Sequence, residues 1–168
     1  MEDTDVVLGI GSNLGGRLFN VKSAINTLST AFNVDVLKVS SFYETDPVTV
    51  NGAEGYVGEE FVNCCVLLKT KLEPNVVLGM CFGIEASLGR RRQYKSAPRT
   101  VDLDIIFYGD MVIENSFLKV PHLGTLERDF VLAPLGDICP DYRFMDIDFS
   151  KEYENIDWNA IRRLEEDF

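Results

Sequence analysis

The residues best suited to chemistry lie in Pro98-Arg99-Thr100-Val101-Asp102-Leu103-Asp104-Ile105-Ile106. Two aspartates at i and i+2 of a strand point to one face with their Cα atoms about 6.6 Å apart, and Val101, Leu103 and Ile105 take the other face. Carboxylates are disfavoured inside an apolar strand, so the pair calls for compensation. A hard cation supplies it: Mg2+ binds one or two carboxylates together with waters and substrate phosphates, and the spacing also suits two ions about 3.5–4 Å apart. The alternative is a solvent-facing pair bridged to nearby arginines. The stretch from Arg90 to Arg99 holds five of the sixteen basic residues and no acid. Arg90, Arg92 and Arg99 carry planar donors matched to phosphate oxygens, and a basic island in an acidic chain can focus an anion on one spot. From charge alone the island reads rather as a solvated basic loop. Glu85 falls within roughly 60° of Leu78, Cys81 and Leu88 on the apolar stripe of a helix, either at the edge of that stripe or bonded to something specific. Together, cations and an acid pair on adjoining segments describe a nucleotide-phosphate site. His122, the one histidine, follows Pro121 and by itself reads as a satisfied loop residue.

Two glycine patterns fail as phosphate loops. In Gly9-Ile10-Gly11-Ser12-Asn13-Leu14-Gly15, Leu14 sits where a dinucleotide fingerprint needs its third glycine. Gly11 and Gly16 have P-loop spacing, but Arg17-Leu18 replaces the required Lys-Ser/Thr. The glycines are expected instead to allow a tight strand-to-helix turn, with Ser12 or Asn13 capping the helix.

The elements that must hold these residues follow from periodicity. Val6 to Ile10 reads as a buried strand, and Leu18, Val21, Ile25 and Leu28 predict a helix from about Arg17 to Ala31. Val34 to Tyr43 alternates as a second strand, and residues 47–59, with three glycines and a proline, are expected to make a long mobile loop, of a length that is usually functional or disordered. Phe61 to Thr70 is a third strand. A second helix opens at Leu72-Glu73-Pro74 and stops at Gly89. Thr100 to Tyr108 is a fourth strand, turning at Gly109-Asp110 into Met111-Val112-Ile113. The order β-α-β-β-α-β predicts an α+β, ferredoxin-like (split βαβ) domain, with a largely antiparallel sheet and helices gathered on one face. Phe130 to Leu135 reads as a short helix or an apolar loop. Residues 157–166 read as helical, in an acidic solvated tail whose net charge from Asp141 to Phe168 is −5, nine acids against four bases.

Composition narrows the class. The chain has 168 residues, 46% of them hydrophobic and 26% charged, which suits one globular domain and rules out intrinsic disorder. A net charge of −11 opposes duplex nucleic-acid binding. No apolar run approaches membrane-spanning length, and the acidic N-terminus is unlike a signal peptide. Cys64, Cys65, Cys81 and Cys139 show no C-x-x-C pair and are expected to be reduced and mostly buried in a cytoplasmic protein.

The ordered set of motifs resembles one family. Gly11-Ser12-Asn13-Leu14-Gly15, Ser40-Ser41-Phe42-Tyr43-Glu44-Thr45-Asp46-Pro47-Val48 and Phe61-Val62-Asn63 come first. Ile84-Glu85, Leu88-Gly89-Arg90, Pro98-Arg99-Thr100-Val101-Asp102-Leu103-Asp104 and Val120-Pro121-His122 follow, then Arg128 and Phe130. Together they are similar to the 6-hydroxymethyl-7,8-dihydropterin pyrophosphokinases of folate biosynthesis, over residues 6 to about 141. The resemblance implies a catalytic core over 1–141, an acidic extension over 142–168, and transfer of pyrophosphate from ATP to the pterin hydroxymethyl oxygen. It implies that Asp102 and Asp104 hold two Mg2+ ions and that Arg90 and Arg92 close on the phosphates. Glu85, Arg99, His122 and Arg128 would serve ATP. Phe61 and Phe130 would stack the pterin, while Asn63 and the backbone near Thr45 and Val48 read its polar edge. A monomer is expected, with possible association with other folate-pathway enzymes. The chain departs from the pattern at Tyr94-Lys95-Ser96-Ala97, where many relatives carry Arg-Trp-Gly, at Leu123 and Phe117, and in a longer 47–59 loop. The competing reading is a non-catalytic nucleotide- or pterin-sensing module on the same scaffold.

Overall fold

A computed structural model describes residues 2–46, 59–91 and 97–168. Along the chain come β1 (Thr4–Ser12), α1 (Arg17–Ser29), β2 (Val34–Val39), β3 (Tyr43–Thr45), β4 (Phe61–Thr70), α2 (Pro74–Ser87) and β5 (Asp102–Tyr108). Then follow β6 (Ile113–Glu114), β7 (Lys119–Val120), α3 (Asp129–Ile138), β8 (Arg143–Phe144), β9 (Ile147–Asp148), α4 (Ser150–Glu154) and β10 (Ile161–Arg163). The main sheet runs β10-β3-β4-β1-β5, with β2 also beside β4, and every pairing in it is antiparallel. Taking β2 and β3 as one interrupted strand, this is the sheet order of the split βαβ scaffold expected from the element sequence.

The expected second strand breaks at Ser40–Phe42. Ser40 exchanges backbone and side-chain hydrogen bonds with Cys65, both 2.9 Å long, where β2 ends. Helix α1 buries Val21, Ala24, Ile25 and Leu28, and α2, with Pro74 at its first turn, buries Val77, Cys81 and Ile84. Both pack on the face carrying Val6, Leu8, Ile10, Val62 and Cys64. The segment at Phe130–Leu135 is helical, and here the expectation of helices on one face is corrected. Helix α3 covers the opposite face, against Val7, Cys65, Ile106 and Phe107. Strands β1 and β4 are apolar on both sides, and a sheet buried on both faces needs a layer on each. Fully burying one large apolar side chain is worth about 1.5–3 kcal/mol, so neither face can be left wet.

The tail also differs from expectation. Residues 157–166 are not helical: Ile161–Arg163 forms β10, pairing with Tyr43–Thr45. The free edge of β3 offers unpaired backbone groups, and satisfying them outweighs local propensity. Phe144, Phe149, Ile156 and Ile161 enter the second core, so much of the acidic segment is packed rather than solvated. All four cysteines are buried free thiols. Among the described residues no helix is long and apolar enough to cross a membrane.

Candidate active site

Among the described residues β5 is an edge strand of the main sheet, and it is exposed to a ligand only at its Asp102–Asp104 end, beyond the part that α3 covers. Asp102 and Asp104 are only partly buried, whereas Val101, Leu103 and Ile105 are sealed in the α1–α2 core. The two carboxylates share one face, as the i, i+2 spacing requires. Opposite Val7 and Leu8 the β1–β5 register slips. This bulge turns both Ile106 and Phe107 into the α3 core.

Four residues on neighbouring strands stand in register across the sheet: Tyr43, Asn63, Gly11 and Asp102. With strands 4.7–4.9 Å apart, Asn63 and Asp102 lie roughly 10 Å from each other. Gly11 between them adds no side chain, and a Cβ there would come 2.9 Å from Asn63 Oδ1. Gly11 therefore sits inside β1, not in the turn assigned to it from sequence, and with Gly9, expected in the strand and found there, it leaves a trough joining the amide to the acids. Asn63 Nδ2 donates to Thr45 Oγ1 at 3.0 Å, so its carbonyl is aimed rather than free to swing. Gly11→Ala should displace that amide. We expect about a tenfold loss in pterin affinity, near 1.4 kcal/mol, with ATP affinity unchanged, as isothermal titration of each ligand would report.

Around Asp102 the basic residues converge. Arg90 Nη1 donates to Glu85 Oε1 at 2.5 Å and also to Asp102 Oδ1, while Arg99 Nη1 donates to Asp102 Oδ2. Gly89, at φ +81°, ends α2 and turns the chain so that Arg90 N–H bonds Glu85 O at 3.0 Å. Glu85 is buried and accepts the Leu103 N–H at 3.0 Å. It thereby satisfies a backbone donor on the free edge of β5, which answers the question its place on an apolar stripe raised. The Arg99 guanidinium also lies 5.7 Å from the Phe61 ring centroid, and among the described residues its buried Nε has no hydrogen-bond partner.

Neither Ser12 nor Asn13 caps α1; Gly16 is the N-cap, without a side-chain bond. Asn13 instead exchanges bonds with Arg99: its Oδ1 accepts Arg99 N–H at 2.9 Å, and its own N–H donates to Arg99 O at 3.2 Å. Sequence reasoning missed this role, and Gly11's as well. The only local signal was a short amide side chain at the end of a strand.

His122 follows a cis Val120–Pro121 bond, donates its N–H to Ile106 O at 3.0 Å, and sets Nε2 4.0 Å from Asp104 Oδ1. Burial, and next the charge of Asp102, hold the half-exposed Asp104 carboxyl above the ordinary carboxylate range, against the opposing pull of His122, Arg90 and Arg99. A cleft of about 350 Å3 opens beside it, lined in part by Leu78, Phe82, Glu85, Ile105, Phe117 and Leu123. On the α3 side, the Arg128 guanidinium lies 5.9 Å from the Phe130 ring centroid. Arg92 and Val48 lie outside the described residues.

The donor set suits a hard cation. Among the described residues no cluster of three or more His, Cys, Asp or Glu could cage a metal. Adjacent carboxylates are what Mg2+ takes when water and phosphate complete its shell, and a divalent charge would relieve the strained ionisation of Asp104.

Fold and site together define a phosphoryl-transfer protein on a split βαβ scaffold. Residues 7–140 match the model of the 7,8-dihydro-6-hydroxymethylpterin-pyrophosphokinase (HPPK) family. The 2-amino-4-hydroxy-6-hydroxymethyldihydropteridine pyrophosphokinase of Bacillus subtilis is 44% identical over 133 residues, covering 79% of this chain and 76% of that protein. The bifunctional protein FolKE of Lactococcus lactis is 38% identical over 159 residues, 95% of this chain and 42% of its own length. A crystal structure of Plasmodium falciparum HPPK-DHPS with pteroate shares the fold at TM-score 0.68 and 16% identity, over 91% of this chain and 42% of that one. The chain belongs to the 7,8-dihydro-6-hydroxymethylpterin-pyrophosphokinase family, whose reaction moves pyrophosphate from ATP to hydroxymethyldihydropterin in folate biosynthesis.

Proposed function

We propose that the chain carries out this reaction along the open face and outer edge of β5, with AMP as the leaving product. The observation that supports this best is the row Asn63–Gly11–Asp102, a polar reader joined by a side-chain-free trough to an acid pair. The pterin lies between Phe61 and Phe130, with Asn63 and the backbone near Thr45 and Val48 on its polar edge. A flat heteroaromatic ring wants aromatic faces and a few fixed polar partners. The nucleotide base occupies the cleft between Leu78, Phe82 and Leu123, with Phe117 exposed at its mouth. His122, Glu85 and Arg128 serve ATP as the family resemblance implies.

Asp102 and Asp104 would hold two Mg2+ ions, whose chemistry is to neutralise the triphosphate and lower the pKa of the pterin alcohol. The hydroxymethyl oxygen attacks the β-phosphorus in line. The alcohol O–H bond breaks and its proton passes to solvent water, a new P–O bond forms, the bond to the α,β-bridging oxygen breaks, and AMP leaves with that electron pair. Arg99 and Arg90 donate to the phosphate oxygens as charge builds there, and Arg92 is assigned the same part. Preorganised donors of this kind carry most of such a barrier reduction. Association with another folate-pathway enzyme fits the two-function Lactococcus relative.

The test is AMP release from ATP, followed with and without the pterin alcohol and with and without Mg2+. Release that requires both is expected. AMP formation at the same rate without pterin, or binding of both ligands with no turnover, would favour the sensing module.

A further inference from the structure

Glu44 is a carboxylate that the reaction above does not use, yet it is 5% exposed in the middle of β3. Alternation points it to the face opposite Tyr43 and Thr45. Two cations meet it there. Arg17, the first residue of α1, brings Nη2 within 2.6 Å of Oε1, and Arg162 of β10 pairs with Oε2. The same Arg17 guanidinium donates through Nη1 to the backbone oxygen of Glu60 at 2.6 Å, with the Glu59 carboxylate 3.9 Å from Nε. Arg17 thus ties the residue before Thr45 to the residue before Phe61. Thr45 and Phe61 are themselves register partners on β3 and β4, near the strand ends where a ladder frays most easily. On the other side, β10 sets Arg162 opposite Glu44 and Ile161 opposite Thr45. A buried carboxylate is stable only while its cations stay in place, so this group resists displacement of either strand end.

We propose that Arg17, assisted by Arg162, is a positioning residue for the pterin: by gripping Glu44 and the Glu60 carbonyl together it sets the separation of Thr45 and Phe61. This rests on the assignment of those two residues to the pterin. The C-terminal strand then has a part in the chemistry although it touches no substrate, since it closes the edge of β3 and brings Arg162 to Glu44. The guanidinium reaches Glu44 through Nη2 and the Glu60 carbonyl through Nη1 in one rigid plane, whereas an ammonium must serve both from a single nitrogen on a flexible stem.

The experiment measures KM and kcat for each substrate, and thermal unfolding, in Arg17→Ala, Arg17→Lys and Arg162→Ala, with Asn63→Ala alongside. Misplacement by about an ångström costs up to a hundredfold in rate. Arg17→Ala should therefore lower kcat/KM for the pterin roughly tenfold to a hundredfold, with KM for ATP unchanged, because the carboxylates that serve ATP lie on β5, at the other edge of the sheet. Arg17→Lys should recover part of the loss, and the more exposed Arg162→Ala should show a smaller loss of the same kind. Equal losses for both substrates, or a lowered melting temperature with no change in pterin KM, would overturn the positioning role. If Asn63→Ala also leaves pterin KM unchanged, the pterin assignment itself fails. If Asn63→Ala weakens pterin binding while Arg17→Ala does not, only the clamp is wrong.

Discussion

Replacing Asp104 by asparagine should slow pyrophosphoryl transfer by roughly two to three orders of magnitude while making the ligand-free protein more stable. The loss of activity follows from removing one of two oxygen ligands for a divalent ion, in a reaction that depends on electrostatic stabilisation. One such group is worth about 10²–10³ in turnover, and removing Asp102 as well should leave no measurable pterin-dependent AMP. The gain in stability follows from linkage. Burial and Asp102 raise the Asp104 carboxyl above its ordinary value of 3.8, so the native state holds this proton more tightly than the unfolded chain does. Stability then falls as pH rises from 3.8 through the raised native value, and the penalty persists at neutral pH. Asparagine cannot ionise and escapes it. Its melting temperature should exceed that of the natural protein at pH 7, and the advantage should vanish below pH 3.8, where both side chains are uncharged. Adding Mg2+ with a non-hydrolysable ATP analogue should raise the melting temperature of the natural protein more than that of Asp104→Asn. An unchanged or lower melting temperature for the variant at neutral pH would contradict the strained ionisation on which the metal assignment draws.

Arg90→Ala should be the most destabilising single change at the site. The Arg90 side chain is 11% exposed and bridges Asp102 to Glu85, whose side chain is 4% exposed. Removing it takes a cation from buried Glu85 and, among the described residues, leaves Arg99 as the cation on Asp102. Breaking a buried pair from one side costs about 3–5 kcal/mol. In a domain of this size each kcal/mol lowers the melting temperature by about 2–4 °C, so a drop on the order of 10 °C is expected from differential scanning calorimetry. Turnover should fall with it. Both carboxylate contacts of Arg90 come from one nitrogen, Nη1, so Arg90→Lys, whose ammonium carries three donors, should recover part of the loss. Arg99→Ala is the informative contrast. It also loses an Asp102 contact, but Arg90 still holds that carboxylate, so activity should suffer more than stability. A melting temperature within a degree or two of the natural protein for Arg90→Ala would show that the bridge between α2 and β5 carries little of the fold.

Much of this site was legible before any coordinates. The i, i+2 aspartates share a face because strand alternation is local and steric. Glu85 stood out because an acid on an apolar stripe must bond to something, and Leu103 N–H and Arg90 are what it bonds to. The bounds of β4 and the starts of both long helices also came from short-range signals: a β-branched apolar run, a 3.6-residue period, and a proline at the first turn.

What the linear chain could not reveal depended on partners distant in sequence. Gly11 reads as a turn glycine until β4 and β5 flank it, when its missing side chain becomes the trough between Asn63 and Asp102. Asn13 reads as a helix cap until Arg99 arrives 86 residues later to take its bonds. Residues 157–166 read as helical because their own propensity is all that a local window contains; the open edge of β3, more than a hundred residues away, makes Ile161–Arg163 a strand. Periodicity and side-chain type are properties of neighbours along the backbone, and they determined which groups exist and which way each points. Hydrogen-bond satisfaction and burial are properties of the closed fold, and they alone decided which of those groups meet.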